Sequence, residues 1–257
     1  MTALRVGKTL AARTLAVLVF AGVCAFPAAA MAAEKVDLLL VLAADVSRSV
    51  DSGKFQLQRD GYAAAISDPR VLEAIRSGRN RRIAISFVEW SGAGSQRVLI
   101  DWTRIGNAEE AKGFGDRLLE APRSFTDRTS ISGAIEFSTG RLAKAPFDSE
   151  RRTIDISGDG TNNAGRDVTL ARDEALAQGI TINGLVILSE MPLPWNPDHT
   201  NPAGGLDKYY RDHVVGGTGA FVIVAENFAS FGQAIIKKLI AEIALSAPGK
   251  TRQASLR

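Results

Sequence analysis

The stretch from Val36 to Ala44, Val36-Asp37-Leu38-Leu39-Leu40-Val41-Leu42-Ala43-Ala44, is almost continuously apolar. A strand with one wet face alternates polar and apolar side chains. This one does not, so it predicts a strand covered on both faces, as in a parallel sheet packed between helices. The run ends in Asp45-Val46-Ser47-Arg48-Ser49, which puts one carboxylate and two hydroxyls on the turn beyond the strand. Hard oxygen donors at such a mouth suit Mg²⁺, which takes near-octahedral oxygen coordination and sheds its waters reluctantly. A site with so little charge leaves the ion electrophilic and open to a carboxylate from another molecule. The same residue types also serve turns and helix N-caps, where their oxygens accept backbone N–H groups. The pentapeptide therefore needs company further along the chain.

Helical patterning from about Ser52 to Ser67 stops at Asp68-Pro69, and a short amphipathic turn spans Val71 to Ile75. Arg82 to Trp90 and Arg97 to Thr103 read as strands, and the Gly-rich link Ser91 to Ser95 marks them as an antiparallel hairpin. Helices at Ala108 to Glu120 and Ser130 to Lys144 precede a strand at Arg152 to Ser157. A helix from Asp167 to Gln178 ends at Gly179, and strands follow at Ile180 to Leu188 and Phe221 to Ala225, then a closing helix at Phe228 to Leu245. Strands alternating with helices imply right-handed crossovers. The expected class is α/β, a doubly wound and mainly parallel sheet with one antiparallel edge strand and helices on both faces. Ligands bind such sheets beyond the carboxyl ends of the strands, near the point where strand order reverses. Asp45 occupies that position on the first strand.

The ends read differently. Arg5, Lys8 and Arg13, the apolar stretch Thr14 to Phe26, and the small-residue segment Ala28 to Ala33 together read as a secretory signal peptide over residues 1–32. Its apolar part is too short for a bilayer, which takes about 20 residues. The expected organisation is then a single domain over 33–246 and a solvated tail over 247–257. Cys24, the only cysteine, falls in the signal, so the mature chain has no disulfides. The whole chain has 31 basic and 28 acidic residues; losing Arg5, Lys8 and Arg13 balances them. A balanced domain without a basic stripe speaks against nucleic acid as a partner.

Two further segments supply the missing company. Thr129-Ser130-Ile131-Ser132-Gly133-Ala134-Ile135 opens a helix with hydroxyls, and Ser157-Gly158-Asp159-Gly160 follows a strand with a carboxylate between glycines. Together with Asp45, Ser47 and Ser49 they resemble the metal-ion-dependent adhesion site of von Willebrand factor type A domains. The resemblance covers about Val36 to Ala244. It implies that Ser47, Ser49 and Thr129 bind a divalent cation through their hydroxyls, with Asp45 and Asp159 acting directly or through coordinated waters. Mg²⁺ is the expected ion, with Mn²⁺ or Ca²⁺ as alternatives, and the open coordination position is taken in that family by an acidic residue of a protein partner. Ile131 and Ser132 depart from the family's usual Thr and Gly, which questions the local turn. Glu89-Trp90-Ser91-Gly92, Ser157 to Asn163, Gly179 to Leu185 and Tyr209 to Val214 are similar to a bacterial family of exported von Willebrand A-like proteins of unknown function.

Lesser features carry weaker expectations. Asp127 is a candidate to orient the site from behind the ligands, and Asn162 and Asn163 are candidates to tune the loop after Asp159. Ser189 to Lys208, rich in Pro and Gly, reads as an inserted loop on the same rim, with Trp195 as an aromatic wall for a partner. Asp155 inside a strand needs an Arg or hydroxyl partner, and Glu89 at a strand end needs pairing too. His199 and His213 read as ordinary packed or exposed side chains. The expected function is an exported, periplasmic or secreted, metal-dependent protein-binding module. Its rivals are a metal-dependent hydrolase, which lacks a convincing base, and a scaffold whose metal only stabilises loops.

Overall fold

The computed structural model describes Thr2, residues 33–189 and residues 191–244. The expected signal peptide, apart from Thr2, and the expected tail lie outside the described residues. The folded unit begins at Ala33. Its main sheet contains β2 (Leu39–Asp45), β3 (Ile83–Trp90), β4 (Gln96–Ile105), β6 (Arg152–Gly158), β7 (Thr181–Ile187) and β8 (Val222–Ala225). Their order across the sheet is β4-β3-β2-β6-β7-β8, with every neighbouring pair parallel except β3 and β4. A small parallel pair, β1 (Glu34–Lys35) with β5 (Phe147–Asp148), stands apart from it. Nothing in the sequence patterning anticipated that pair, because two residues are too few to show a period.

Helices α1 (Ser52–Ile66), α2 (Pro69–Arg76), α3 (Ala108–Glu120) and α8 (Phe231–Ala244) belong to one layer, and α4 (Ile131–Ala143) and α5 (Val168–Ala177) to the other. The alternation inside β2 shows why two layers are needed. Leu40 and Leu42 join the core beneath α1 and α8, while Leu39, Val41 and Ala43 join the core beneath α4 and α5. All seven positions of β2 are buried. At ~1.5–3 kcal/mol for each large aliphatic side chain taken from water, this strand anchors both cores.

Local signals set the helix ends. Asp51, Asp68, Asn107, Ser130 and Asp167 each cap a helix by accepting a backbone N–H from its first turn. Asp68-Pro69 ends α1 as expected, and the segment after it is a full two-turn helix because Pro69 suits its first position. Gly179 takes a φ of +73° directly after the C-cap of α5.

The Pro-rich segment departs from the expectation of a plain loop. It contains two short helices, α6 (Pro197–Thr200) and α7 (Leu206–Tyr209), the second running into a wider turn over Tyr210–Val214. Pro197 again sits at a helix start, where its missing N–H costs nothing. Buried Leu206, Tyr210 and Val214 pack into the core on the α4 and α5 side and hold the segment down.

The chain leaves β2 towards β3 and β4 on one side, then returns to build β6, β7 and β8 on the other. Strand order therefore reverses between β2 and β6, and their carboxyl ends form the crevice.

Candidate metal centre

Asp45 is the last residue of β2, and Asp159 follows the last residue of β6 directly. Both are fully buried. Asp45 Oδ1 accepts the Ser47 backbone N–H at 2.7 Å, and Ser49 Oγ donates to Asp159 Oδ1 at 2.5 Å. Ser47 Oγ lies 3.1 Å from Ser49 Oγ. The other oxygen of each carboxylate, Oδ2, has no hydrogen-bond partner. Lys54 Nζ stands 3.6 Å from Asp159 Oδ2, an ion-pair distance too long for a hydrogen bond.

Close approach of the two carboxylates depends on glycine. A Cβ at position 158 would fall 2.6 Å from Tyr210 Oη and 3.1 Å from Asp45 Oδ2. The electrostatic result is strain: burial pushes the Asp45 carboxyl up to about 8, with the neighbouring Asp159 charge adding to it. Burial raises Asp159 as well, against the hydrogen bond from Ser49 and the charge of Lys54.

Thr129 arrives from the opposite side, one residue before the N-cap of α4. Asn163 fixes its backbone: Asn163 Oδ1 accepts the Thr129 N–H at 2.9 Å, and the N–H groups of Asn163 and Ala164 donate to the Thr129 carbonyl. Asn162 Oδ1 accepts the Ser132 N–H at 3.0 Å, so the turn questioned by Ile131 and Ser132 is held by the loop after Asp159. Asn162 thus ties two loops together. Ser49 and Thr129 line one cleft of about 210 Å³, together with Asp127 and Trp195. Asp127 takes part through its backbone, whose carbonyl accepts the Arg48 N–H at 3.0 Å, while its carboxylate accepts the Arg128 N–H. Trp195 stands at the rim, 73% exposed.

Five further residues hold this mouth, of which only Asn163 is a candidate in the sequence. Gln58 Nε2 donates to the Asp45 carbonyl, and Arg123 Nη2 donates to the carbonyls of Val46 and Ser47. Asn163 and Tyr210 act as described. His199, read as an ordinary side chain, is buried at the site with Nε2 3.2 Å from Thr129 Oγ1. Asn163 Oδ1 already accepts from Thr129, so its Nδ2 is what faces His199 Nδ1 at 3.3 Å. Nδ1 is then the acceptor, the proton sits on Nε2, and the ring donates to the threonine hydroxyl. Burial lowers the imidazole's proton affinity, in keeping with a neutral ring. The sequence holds no periodic signal for this contact, because His199 reaches the site from an irregular segment.

The donor set fits a hard divalent cation. Two carboxylates each present an oxygen without a hydrogen bond, three hydroxyls are neutral donors, and the Ser47–Ser49 spacing of 3.1 Å is near the ~3 Å separating adjacent ligands around Mg²⁺ at its usual bond length. Among the described residues no group of three or more His, Cys, Asp or Glu side chains is placed to hold a metal ion, so a thiolate- or imidazole-rich zinc centre is not what these residues build. Asp45, Ser47, Ser49, Thr129 and Asp159 would hold the ion, which when bound supplies a Lewis-acidic point for an incoming anion.

His199 also restricts Gly160, since a Cβ there would fall 2.2 Å from the imidazole. Gly160→Ala is expected to displace the ring, release Thr129 and weaken metal affinity about tenfold. Calorimetric titration with Mn²⁺ checks it; unchanged affinity would show that His199 does not position Thr129.

Solved structures share this architecture. Proximal thread matrix protein 1 from the mussel byssus superposes with a TM-score of 0.58 at 14% identity, over 83% of this chain and 50% of that one. The chain thus spans half the length of that protein, one of whose structures has a zinc-occupied adhesion-site motif and matches with a TM-score of 0.54 at 16% identity, over 83% and 50%. An aerotolerance-related membrane protein from Bacteroides fragilis matches at 0.51 and 19% identity, over 79% of this chain and 98% of that one. A von Willebrand factor type A protein from Catenulispora acidiphila matches at 0.50 and 15%, over 84% and 43%. No curated protein matches by sequence. The fold is that of the von Willebrand factor type A domain, and the chain, matched over residues 35–247, belongs to the family described as "Protein of unknown function (DUF1194)".

Proposed function

We propose that the chain is a metal-dependent protein-binding module, in which Asp45, Ser47, Ser49, Thr129 and Asp159 hold Mg²⁺ and the ion captures an Asp or Glu side chain of a partner. The observation that carries this reading is the pair of oxygens without a hydrogen-bond partner, Asp45 Oδ2 and Asp159 Oδ2, buried together beside three hydroxyls, with the Lys54 cation at ion-pair distance from the second. Buried carboxylate oxygens without partners are costly, and a cation between them removes the cost. The mussel protein's zinc-occupied motif supports a divalent ion in this kind of crevice.

Binding is favoured over hydrolysis because the nearby bases are engaged. Glu89 pairs with Arg59 and accepts the Ser124 N–H, and the His199 ring spends its Nε2 proton on Thr129. Neither is free to activate a metal-bound water.

Titration of the purified domain is expected to show one Mg²⁺ or Mn²⁺ per chain, with protons released on binding because two raised carboxyls must ionise. Lack of a chelator-reversible binding heat would reject the reading.

Export is part of the proposal. It rests on the basic, apolar and small-residue order of the first 32 positions, and the B. fragilis protein is named a membrane protein. Among the described residues no helix is long and apolar enough to cross a membrane. A reporter active only outside the cytoplasm, fused after the first 40 residues, is expected to be active and shortened; an inactive, full-length fusion would reject export.

A further inference from the structure

The cleft beside the metal ligands does not end at the crevice. Arg48 and Arg128, both exposed, stand on it, opposed by the single carboxylate of Asp127. Leu193 lines its far side and also lines a second, larger groove of about 610 Å³. That groove is mainly apolar, walled by Leu188, Met191, Pro192 and Phe228, with Lys54 and Ser189 at its edge. Lys54 joins the two: its Nζ donates to the Ser49 carbonyl at 2.9 Å, and it lies 5.1 Å from the centre of the Phe228 ring. Met191 is 77% exposed and Trp195 73%. Large apolar side chains left in water beside a concave apolar surface mark a place where something docks.

Charge and shape together specify the occupant. Cationic Arg48, Arg128 and Lys54 favour an anion at the crevice, whereas the groove beyond Leu193 offers mainly apolar contact. An extended chain advances about 3.3 Å per residue, so a few residues pass from one to the other. Resting on the metal-binding reading above, we propose that cleft and groove form one docking surface for an extended partner segment whose acidic residue lies within three positions of a bulky apolar one. The carboxylate sits at the metal between the arginines, and the apolar side chain lies against Met191 and Leu193.

Capped Gly/Ser peptides carrying one Asp, with one Leu placed one, two or three positions away on either side, test this against the Mg²⁺-loaded domain. Calorimetry and the emission of exposed Trp195 are the readouts. At least one Leu peptide is expected to bind roughly tenfold or more tightly than its Leu→Ser counterpart, in line with burial of one leucine. That advantage is expected to vanish in Met191→Ser with Leu193→Ser, two positions outside both cores. Arg48→Glu with Arg128→Glu is expected to weaken Leu and Ser peptides alike. Metal-dependent binding of Asp peptides with no benefit from Leu anywhere would overturn the groove while leaving the metal reading intact. Leu-peptide binding indifferent to Mg²⁺ and to Asp→Asn would overturn the coupling of the two sites. Mg²⁺-loaded chains that dimerise in sedimentation, and lose dimerisation with Met191→Ser, would assign the groove to a second copy and overturn the proposal. A missing metal-binding heat without peptide would instead reject the reading beneath it.

Discussion

Asp45→Asn is expected to abolish Mg²⁺ binding and at the same time to raise the melting temperature of the metal-free protein at pH 8. The two effects have one cause. In the metal-free fold the Asp45 carboxyl is pushed up to about 8, first by burial and then by Asp159. The unfolded chain releases the same proton near the usual carboxylate value of ~4. From about pH 4 to about pH 8 the folded state therefore holds a proton that the unfolded state has lost, and stability falls as pH rises. Asn removes this charge while keeping an acceptor for the Ser47 N–H. The metal-free variant should melt higher by about 3 °C or more, since each kcal/mol shifts a domain of this size by ~2–4 °C. Wild-type protein gains the opposite way: Mg²⁺ at a hundred times its dissociation constant adds about 2.7 kcal/mol, and the gain grows with pH as the carboxyls ionise. Calorimetric melting from pH 5 to pH 8, with Mg²⁺ and with chelator, separates these terms. A variant whose melting temperature still climbed on adding Mg²⁺ would remove Asp45 from the ligand set.

How much of this was legible in the sequence varies with how local the cause is. The continuous apolar run of β2, the Gly-linked hairpin of β3 and β4, and the capped helices α1, α3 and α5 all follow from short-range patterns, and their boundaries fall within a few residues of expectation. Asp45 and Asp159 were grouped in the sequence through the resemblance to the adhesion-site motif, and the observed strand order sets the ends of β2 and β6 side by side. Contacts made by irregular backbone were not. His199 lies 70 residues from Thr129, with which it shares a hydrogen bond, and no periodicity links them. Asn162, a candidate to tune the loop after Asp159, donates to the Arg166 carbonyl in that loop and also fastens the start of α4, a contact no local pattern announced. Asp155 was expected to need an Arg or a hydroxyl; its partner is Lys238, an i,i+4 neighbour of Glu242 on the closing helix. A lysine in that amphipathic pattern reads as solvent-facing, and only the packing of α8 against β6 and β7 shows that it is fully buried.

Lys238 makes the second large effect. Its ammonium lies 2.8 Å from Asp155 Oδ1 and 2.7 Å from Glu242 Oε1, and all three side chains are wholly inaccessible. Asn183 Nδ2 adds a hydrogen bond to Glu242 Oε1 at 2.9 Å. One cation thus serves two carboxylates, and burial holds the Asp155 carboxyl up at about 7 despite the attraction of Lys238. Lys238→Met keeps much of the volume but leaves both acids without their cation, a loss of about 3–5 kcal/mol at neutral pH. Without the ammonium the attraction that lowers Asp155 is gone, so the folded state holds the proton on that carboxyl more tightly still. The deficit should therefore shrink on acidification towards pH 5 and widen above it. Adding Asp155→Asn and Glu242→Gln removes the orphaned charges and should recover most of the loss, because an uncharged polar cluster needs no counterion. Urea unfolding of the single and triple variants at pH 5 and pH 7.5 measures each term. If Lys238→Met cost the same at both pH values, the cluster would be acting through packing and not through charge.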